Sequence, residues 1–379
     1  MQKSIPCYIY RGGTSRGLIL DETLLPPAGL ERDAVLISLI GGPDPKQIDG
    51  LGGGVIVTSK VALIKLSEQP GIDIDYTFAQ VVVGKNAVDY KANCGNISSA
   101  IGPYAIESGL IQAQKGTTKV VIRNTNTQKD IISVVPTPEG QVITNGDYVI
   151  SGIQRTGAKI EMQFLDPAGA ATGNLLPTGN PTDYVSVDGL GEVPVSVVDA
   201  SNLFLFVRSE DVGLRGNELP EELDKNTELC EKLEEIRATF AERFGYVKDK
   251  RKAFELSPTV PKIAIIAPPS DYTTTNGDVI SAKEMDIHIF MLTMKKMHKT
   301  FAMTGGMCAA AAAAVPGTVV NDIILRSQKV IPAQLALANP GGIMDVGVIF
   351  ETNATGEVKI CSTSGFRTAR LLMKGEAFY

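Results

Sequence analysis

The second half of this chain repeats the first, and a repeat limits the fold more than any single motif does. In the first half, apolar residues 5–10 lead through the polar turn Arg11-Gly12-Gly13-Thr14-Ser15-Arg16-Gly17 to a second apolar run, 18–20. In the second half, residues 193–198 lead through Asp199-Ala200-Ser201-Asn202 to residues 203–207. Pro261-Lys262-Ile263-Ala264-Ile265-Ile266 matches Ser59-Lys60-Val61-Ala62-Leu63-Ile64. Thr304-Gly305-Gly306-Met307-Cys308, ahead of the alanine run 309–314, matches Asn93-Cys94-Gly95-Asn96 ahead of its own helical stretch. Leu337-Ala338-Asn339-Pro340-Gly341-Gly342 mirrors residues 122–127. The matches keep chain order with growing offset, as insertions in the second copy require. They predict an α+β chain of two pseudosymmetric domains, residues 1–182 and 183–361, each with strands wrapped around a cysteine-headed central helix. The tail, 362–379, is free to pack back onto the first domain. A helix buried on most sides favours small residues, which the alanine run supplies. If the domains face each other, both helix starts point into one cleft, suited to a small polycarboxylate.

Periodicity fills in the elements. Leu30, Ala34, Ile37 and Ile40 have helical spacing, and Gly41-Gly42-Pro43 ends that helix. Gln47-Ile48-Asp49-Gly50-Leu51-Gly52-Gly53-Gly54 reads as a flexible loop entering a strand at 55–66. In that strand Lys60 shares a pleat face with Ile56, Thr58, Ala62 and Ile64. Strands are expected at 76–83, 87–92, 119–122, 131–135 and 141–153, and a helix over about 96–109. Residues 166–180 read as a linker or lid. The stretch 219–244 is a charged helix with the stripe Leu229, Leu233, Ile236 and Phe240, a surface element or an oligomer contact. His288 and His298 sit in a Met-rich amphipathic stretch and read as packing residues.

Bulk properties exclude several function classes. With 36 basic and 42 acidic side chains the formal net charge is −6, and no basic run suggests nucleic acid as a partner. The 5 cysteines, Cys7, Cys94, Cys230, Cys308 and Cys361, are scattered, without a CxxC pair. Neither a disulfide framework nor a metal site is expected. No signal-peptide core and no membrane-length apolar run appears, so no membrane partner is expected and a cytoplasmic location fits. The glycine loop 50–54 precedes a strand rather than a helix, which disfavours a nucleotide site.

Two residues stand out chemically. Cys94 lies at a strand-to-helix junction, where free backbone N–H groups favour anions and thiolate. Asn93 and Asn96 add amide donors, and Gly95 permits close approach of a ligand. The alternative is a buried structural cysteine beside a capped helix. Lys60, amid an apolar strand, is either a snorkelling edge residue or a buried acid/base group, since burial disfavours an ammonium charge. Arg123 is either a carboxylate anchor or an exposed ion-pair partner.

Several motifs together resemble one family. They are Ile5-Pro6-Cys7 with the hairpin turn 11–17, the glycine loop 47–53, Thr58-Ser59-Lys60, Asn93-Cys94-Gly95-Asn96, Asn124-Thr125-Asn126-Thr127, Leu176-Pro177-Thr178-Gly179 and Arg367-Thr368-Ala369-Arg370-Leu371. Over nearly its whole length the chain resembles the family of 2-methylaconitate cis-trans isomerase, 3-methylitaconate isomerase and 4-oxalomesaconate tautomerase. The resemblance implies a diaminopimelate epimerase-like fold and cofactor-free proton shifts on branched unsaturated di- and tricarboxylates. It maps an acid/base role onto Lys60 and the motif cysteine onto Cys94. Substrate-binding positions map onto Thr14 and Ser15, with Arg16 at the same turn, and onto the second-domain loop Thr304, Gly305, Gly306 and Met307. Epimerases of this fold use two opposed cysteines, which keeps Cys308 as a second acid/base candidate. Lys262 is supported by the repeat alone. An epimerase or racemase of a small amino or hydroxy acid using Cys94 and Cys308, and a non-catalytic carboxylate binder, remain as alternatives. The sequence leaves homo-oligomerisation open.

Overall fold

The computed structural model describes residues 2–90, 94–150 and 152–379. The chain divides into two compact units, Met1–Leu165 with Phe366–Tyr379, and Asp166–Gly365.

The first unit starts with an antiparallel hairpin, Ser4–Gly12 and Ser15–Asp21. The strand Ala369–Phe378 pairs antiparallel with Ser4–Gly12. On the other side, Ser15–Asp21 runs parallel to Lys60–Leu66, which pairs antiparallel with Ile74–Val81. Then follow a parallel neighbour, Gly116–Asn124, and two antiparallel ones, Lys129–Thr137 and Ile160–Leu165. One face of this sheet buries Leu18, Leu20, Val61 and Leu63 against Val35, Leu36, Leu39 and Ile40 of the helix Leu30–Ile40. The other face curls around the central helix. Tyr104 of that helix meets Tyr8 edge-on at 4.9 Å between ring centroids. Around the same helix, Gly102 lies so close to another strand that a Cβ there would fall 2.4 Å from Ser133 Oγ.

The central helix is shorter than its periodicity suggests. It forms as Gly95–Ser98 and Ile101–Glu107, joined by a tight turn at Ser99 and Ala100. Pro103 supplies the reason, because it has no N–H to donate to the carbonyl one turn back. Residues 56–58, expected in a strand, form a 3₁₀ turn, so the strand begins at Lys60. Ile56 and Thr58 therefore do not share the Lys60 face. Of the strand expected at 87–92, Val88–Asp89 forms, and residues 91–93 lie outside the described residues. The stretch 141–150 forms no strand beyond a bridge between Tyr148 and Gly157.

The second unit has the same order of pairings. Gly191–Ala200 and Asn202–Arg208 form the hairpin, flanked by Asp183–Val187. Asn202–Arg208 runs parallel to Lys262–Ala267, which pairs antiparallel with Ile287–Thr293. A parallel neighbour, Gln334–Asn339, and two antiparallel ones, Gly342–Thr352 and Val358–Arg367, complete the series. The helix Met303–Ala314 is buried from Gly305 to Ala314, packed on Phe204, Phe206, Ala264, Ile289 and Val346. The helix Thr227–Arg243 covers the opposite face, and its stripe Leu229, Leu233, Ile236 and Phe240 is buried there. The sequence repeat is thus a repeat of topology.

The segment 166–182, counted with the first half from sequence, belongs to the second unit, and the returning tail begins at Phe366 rather than at residue 362. Asp199 holds the segment in place. Its Oδ2 accepts hydrogen bonds from the N–H groups of Ala171 (2.8 Å) and Thr172 (2.6 Å) and from Thr172 Oγ1 (2.8 Å). Its backbone exchanges further bonds with Gly169 and Leu175. These residues form an anchored loop, not a loose linker. Among the described residues no single helix is long and apolar enough to cross a membrane.

Candidate active site

The strand alternation in the first unit puts Ser15, Gly17 and Ile19 on the central-helix side of the sheet and Arg16, Leu18 and Leu20 on the other. Gly17 stands opposite Lys60 in the parallel pair, and Gln80 stands opposite Lys60 in the antiparallel pair. Lys60, Ala62 and Ile64 therefore face the central helix, while Val61 and Leu63 face the outer one. A Cβ at Gly17 would fall 2.7 Å from the Lys60 carbonyl oxygen and 3.1 Å from its Cβ, so this glycine makes room for the lysine.

Lys60 is buried, with 7% of its surface exposed. Its Nζ donates to Gln80 Oε1 at 3.2 Å and lies 5.0 Å from the centre of the Phe78 ring. The Gln80 amide nitrogen donates to the carbonyls of Ser59 and Ile56, which orients the amide so that its oxygen meets the lysine. Among the described residues Lys60 has no acidic partner. The amine is thus held between one neutral amide oxygen and one ring face, with no carboxylate beside it among the described residues.

Cys94 occupies the position before the first helical residue and is 8% exposed. Its carbonyl accepts from Ser98 N–H and Oγ, and its thiol makes no capping bond to the helix. Tyr76, which the register puts on the Lys60 face, lies beneath it. Burial drives the Tyr76 hydroxyl pKa well above its ordinary value, and the nearby Cys94 adds to the effect. Lys60 and Cys94 are thus on the same side of one sheet.

The hairpin turn closes on the start of this helix. Gly13 has φ +53°, and a Cβ on it would fall 2.2 Å from Asn96 Oδ1. Asn96 Nδ2 donates to Thr14 Oγ1 at 3.1 Å, and Asn96 Oδ1 accepts from Arg367 Nε at 3.1 Å. Arg367 went unassigned at the sequence level, although it heads one of the recurring motifs. Burial lowers its pKa, while Tyr148 and Cys94 favour its charge. The helical segment after Cys94 has only four residues, too short for much dipole. The Arg367 guanidinium lies close enough to Cys94 to be a cationic group at this helix start.

Other motifs have structural roles. Asn124 Oδ1 accepts from the N–H groups of Asn126 and Thr127, and the Asn126 side chain bonds the Phe78 backbone and the Tyr90 carbonyl. It clamps the chain just ahead of the cysteine segment. Gln47 Oε1 accepts from Gly54 N–H and Ser59 Oγ, and the loop 50–54 winds around it. Arg123 is ion-paired with Asp130.

The remaining sequence candidates divide as follows. Thr14, Ser15, Gly95 and Asn96 gather around Cys94 and the hairpin turn. Asn93 lies outside the described residues. Arg16 is on the opposite face from Ser15 and Lys60. In the second unit, Thr304 Oγ1 accepts from Asn202 Nδ2 at 3.5 Å. Gly305 and Gly306 are explained by packing: a Cβ on Gly305 would fall 2.6 Å from Phe204 Cζ, and one on Gly306 2.9 Å from Val346 Cγ1. Met307 is fully buried. Cys308 is also fully buried, and its thiol donates to the Val198 carbonyl at 3.3 Å. Burial pushes its pKa strongly upward. Cys308 is a core residue, a poor candidate for a second acid/base. Lys262 is half-buried, donates to the Thr259 carbonyl at 3.3 Å, and has its pKa lowered by burial and by Arg237. Among the described residues, no group of three or more His, Cys, Asp or Glu side chains is placed to hold a metal ion.

Comparison with known proteins gives the family. The family described as PrpF protein matches residues 2–379. The 3-methylitaconate isomerase of Eubacterium barkeri is 39% identical over 378 residues, covering 100% of this chain and 97% of its own. The (4E)-oxalomesaconate Delta-isomerase of Novosphingobium sp. is 37% identical over 377 residues, covering 99% and 97%. A crystal structure of methylitaconate-delta-isomerase superposes with a TM-score of 0.93 at 39% identity, covering 100% of this chain and 96% of that one. A hydroxyproline epimerase of Agrobacterium vitis, at 12% identity and a TM-score of 0.51 over 100% of this chain and 94% of that one, shares the fold alone. Motifs, topology and full-length similarity converge: the chain belongs to the PrpF protein family and is, like these relatives, an isomerase.

Proposed function

We propose that the chain is a cofactor-independent isomerase of a branched unsaturated di- or tricarboxylate, of the methylitaconate, aconitate or oxalomesaconate type, and that the first-unit site carries the proton transfer. Lys60 takes a proton from a carbon adjacent to the conjugated system. The electron pair left behind spreads over the double bond onto the conjugated carboxylate as a dienolate. The resulting lysine ammonium, or the Cys94 thiol, returns a proton at a different carbon, and the double bond has moved. Rotation in the dienolate before reprotonation gives cis-trans isomerisation instead. Charge on the carboxylate oxygens is held by Arg367, oriented through Asn96, together with the hydroxyls of Thr14 and Ser15.

The observation that carries this proposal is Lys60 itself: buried, without an acidic partner among the described residues, and on the sheet face that meets the Cys94 helix. Proton transfer by one positioned side chain contributes about 10²–10⁴-fold to a rate, enough to make Lys60 decisive. The competing proposal, a two-cysteine epimerase, is disfavoured by Cys308, whose thiol is committed to a core carbonyl. The deciding experiment is proton NMR in deuterium oxide with a panel of unsaturated di- and tricarboxylates. Deuterium at a new carbon with a displaced or inverted double bond supports isomerisation. Exchange confined to one saturated stereocentre of an amino or hydroxy acid, with no double-bond change, refutes it.

A further inference from the structure

Three arginines of the first unit stand on one rung of its sheet. Arg11 is directly opposite Arg16 across the hairpin and directly opposite Arg370 on the C-terminal strand. Directly opposed residues project to the same side with Cβ atoms about 4.5–5.5 Å apart, and like charges so placed are destabilising. Other arginines in this chain are neutralised: Arg32 by Glu22, Arg237 by Glu234, and Arg208 by Asp211 and Asp322. The rung arginines are not. Arg11 Nη1 donates only to the carbonyls of Gly13 and Thr368 and to Thr368 Oγ1. Among the described residues the side chains of Arg16, Arg155 and Arg370 have neither an ion pair nor a hydrogen bond. Burial and the proximity of Arg370 both lower the Arg11 pKa, which marks the crowding of charge there.

Arg11, Arg370 and Arg155 line a cavity of about 440 Å³ together with Thr144, Asn145 and Gln154, and among the described residues no carboxylate lines it. The protein as a whole carries a formal charge of −6, so this positive cavity is a local arrangement rather than a general surface property. It also lies on the other side of the sheet from Lys60, because Arg11 and Arg16 share the face of Leu18 while Gly17 and Lys60 share the central-helix face.

We propose that this cavity is a second anion site, which takes a small multivalent oxyanion of the phosphate or polycarboxylate kind between Arg11, Arg155 and Arg370. Guanidinium forks match such oxygens two at a time, and an occupant removes the Arg11–Arg370 repulsion. Because Arg11 also holds the Gly13 carbonyl, occupancy bears on the hairpin turn whose Thr14 bonds Asn96. The inference is independent of the reaction proposed above.

The test uses the full chain and the double variant Arg155→Ala/Arg370→Ala, neither residue belonging to the proposed catalytic group. Titration calorimetry and thermal unfolding are run with inorganic phosphate and with citrate, against sodium chloride at matched ionic strength. Saturable binding of at least one anion is expected, weakened tenfold or more in the double variant, and the anion that loses affinity identifies the occupant. Arg370→Gln alone should raise the thermal midpoint in anion-free buffer by relieving the repulsion. Stabilisation equalled by chloride, or full affinity for both anions in the double variant, overturns the proposal.

Discussion

The two units share one order of strands, yet their lysine and cysteine have different fates. Lys60 and Lys262 occupy equivalent places, each in the parallel pair that follows its hairpin. Lys60 faces a glycine, Gly17, whereas Lys262 faces Phe204. One lysine is drawn in beside an aromatic ring and an amide; the other stays half-buried and bonds a nearby carbonyl. The cysteines are not equivalent at all. Cys94 precedes the first residue of its helix, and Cys308 is the sixth residue of Met303–Ala314. At 1.5 Å per residue that displacement carries the second thiol about 9 Å farther along its helix axis, into the alanine-lined core. A repeat in sequence therefore kept the scaffold without keeping the placement of its lysine and cysteine.

Four experiments break or sharpen this contrast. Lys60→Ala should lower kcat by about 10²–10⁴-fold with unchanged circular dichroism, while Lys262→Ala should leave kcat within about threefold of the parent enzyme. Comparable losses in both would mean that both copies are chemical. Arg367→Ala should raise KM about tenfold or more, equivalent to about 1.4 kcal/mol, with Arg367→Lys recovering only part because the forked geometry is lost. An unchanged KM would remove Arg367 from the site. Gly17→Ala should cost about 1–3 kcal/mol in chemical denaturation and should also depress kcat, because the new methyl displaces Lys60. Loss of stability with full activity would show that the lysine tolerates displacement.

The smallest effect is a pH dependence. Burial raises the Cys7 thiol from its usual 9.0 to about 12, and Cys308 is shifted in the same direction. The folded state then holds these protons more tightly than the unfolded state. Their contribution to stability is complete below pH 9 and declines as pH rises from 9 toward 12. Denaturant midpoints measured across that range should fall less steeply in Cys7→Ala and in Cys308→Ala, and neither substitution should alter kcat at neutral pH. An unaltered slope in both would show that other groups dominate the alkaline loss of stability.

Much of the scaffold was legible because it rests on local chemistry. Alternating apolar residues around Lys60 marked the strand, glycines at 12 and 13 marked the hairpin turn, and six consecutive alanines marked a helix enclosed by strands. The Asn124 and Asn339 matches also held at the atomic level: each side-chain oxygen accepts from a backbone N–H two residues on. Where the sequence misled, a distant partner decided. The loop 166–182 looked free until Asp199 anchored it. Arg367 lies more than two hundred residues from Asn96 and enters the site only because the tail returns to the first unit. Gln80 looked like an ordinary strand residue until pairing put it across from Lys60.

By itself, then, the sequence determined the doubled α+β scaffold, the family, and the identity of Lys60 and Cys94 as residues to test. Each of these follows from short-range pattern or from motifs read in order. Only the tertiary structure decided which cysteine stands at a helix start and which is core, which arginine lies beside Cys94, and which arginines are left facing one another at one cavity. These are questions of helix register and strand pairing. A shift of a few residues in a helix, or one residue in a strand, moves a side chain from solvent to core or from one face to the other. Composition and spacing alone do not carry that information.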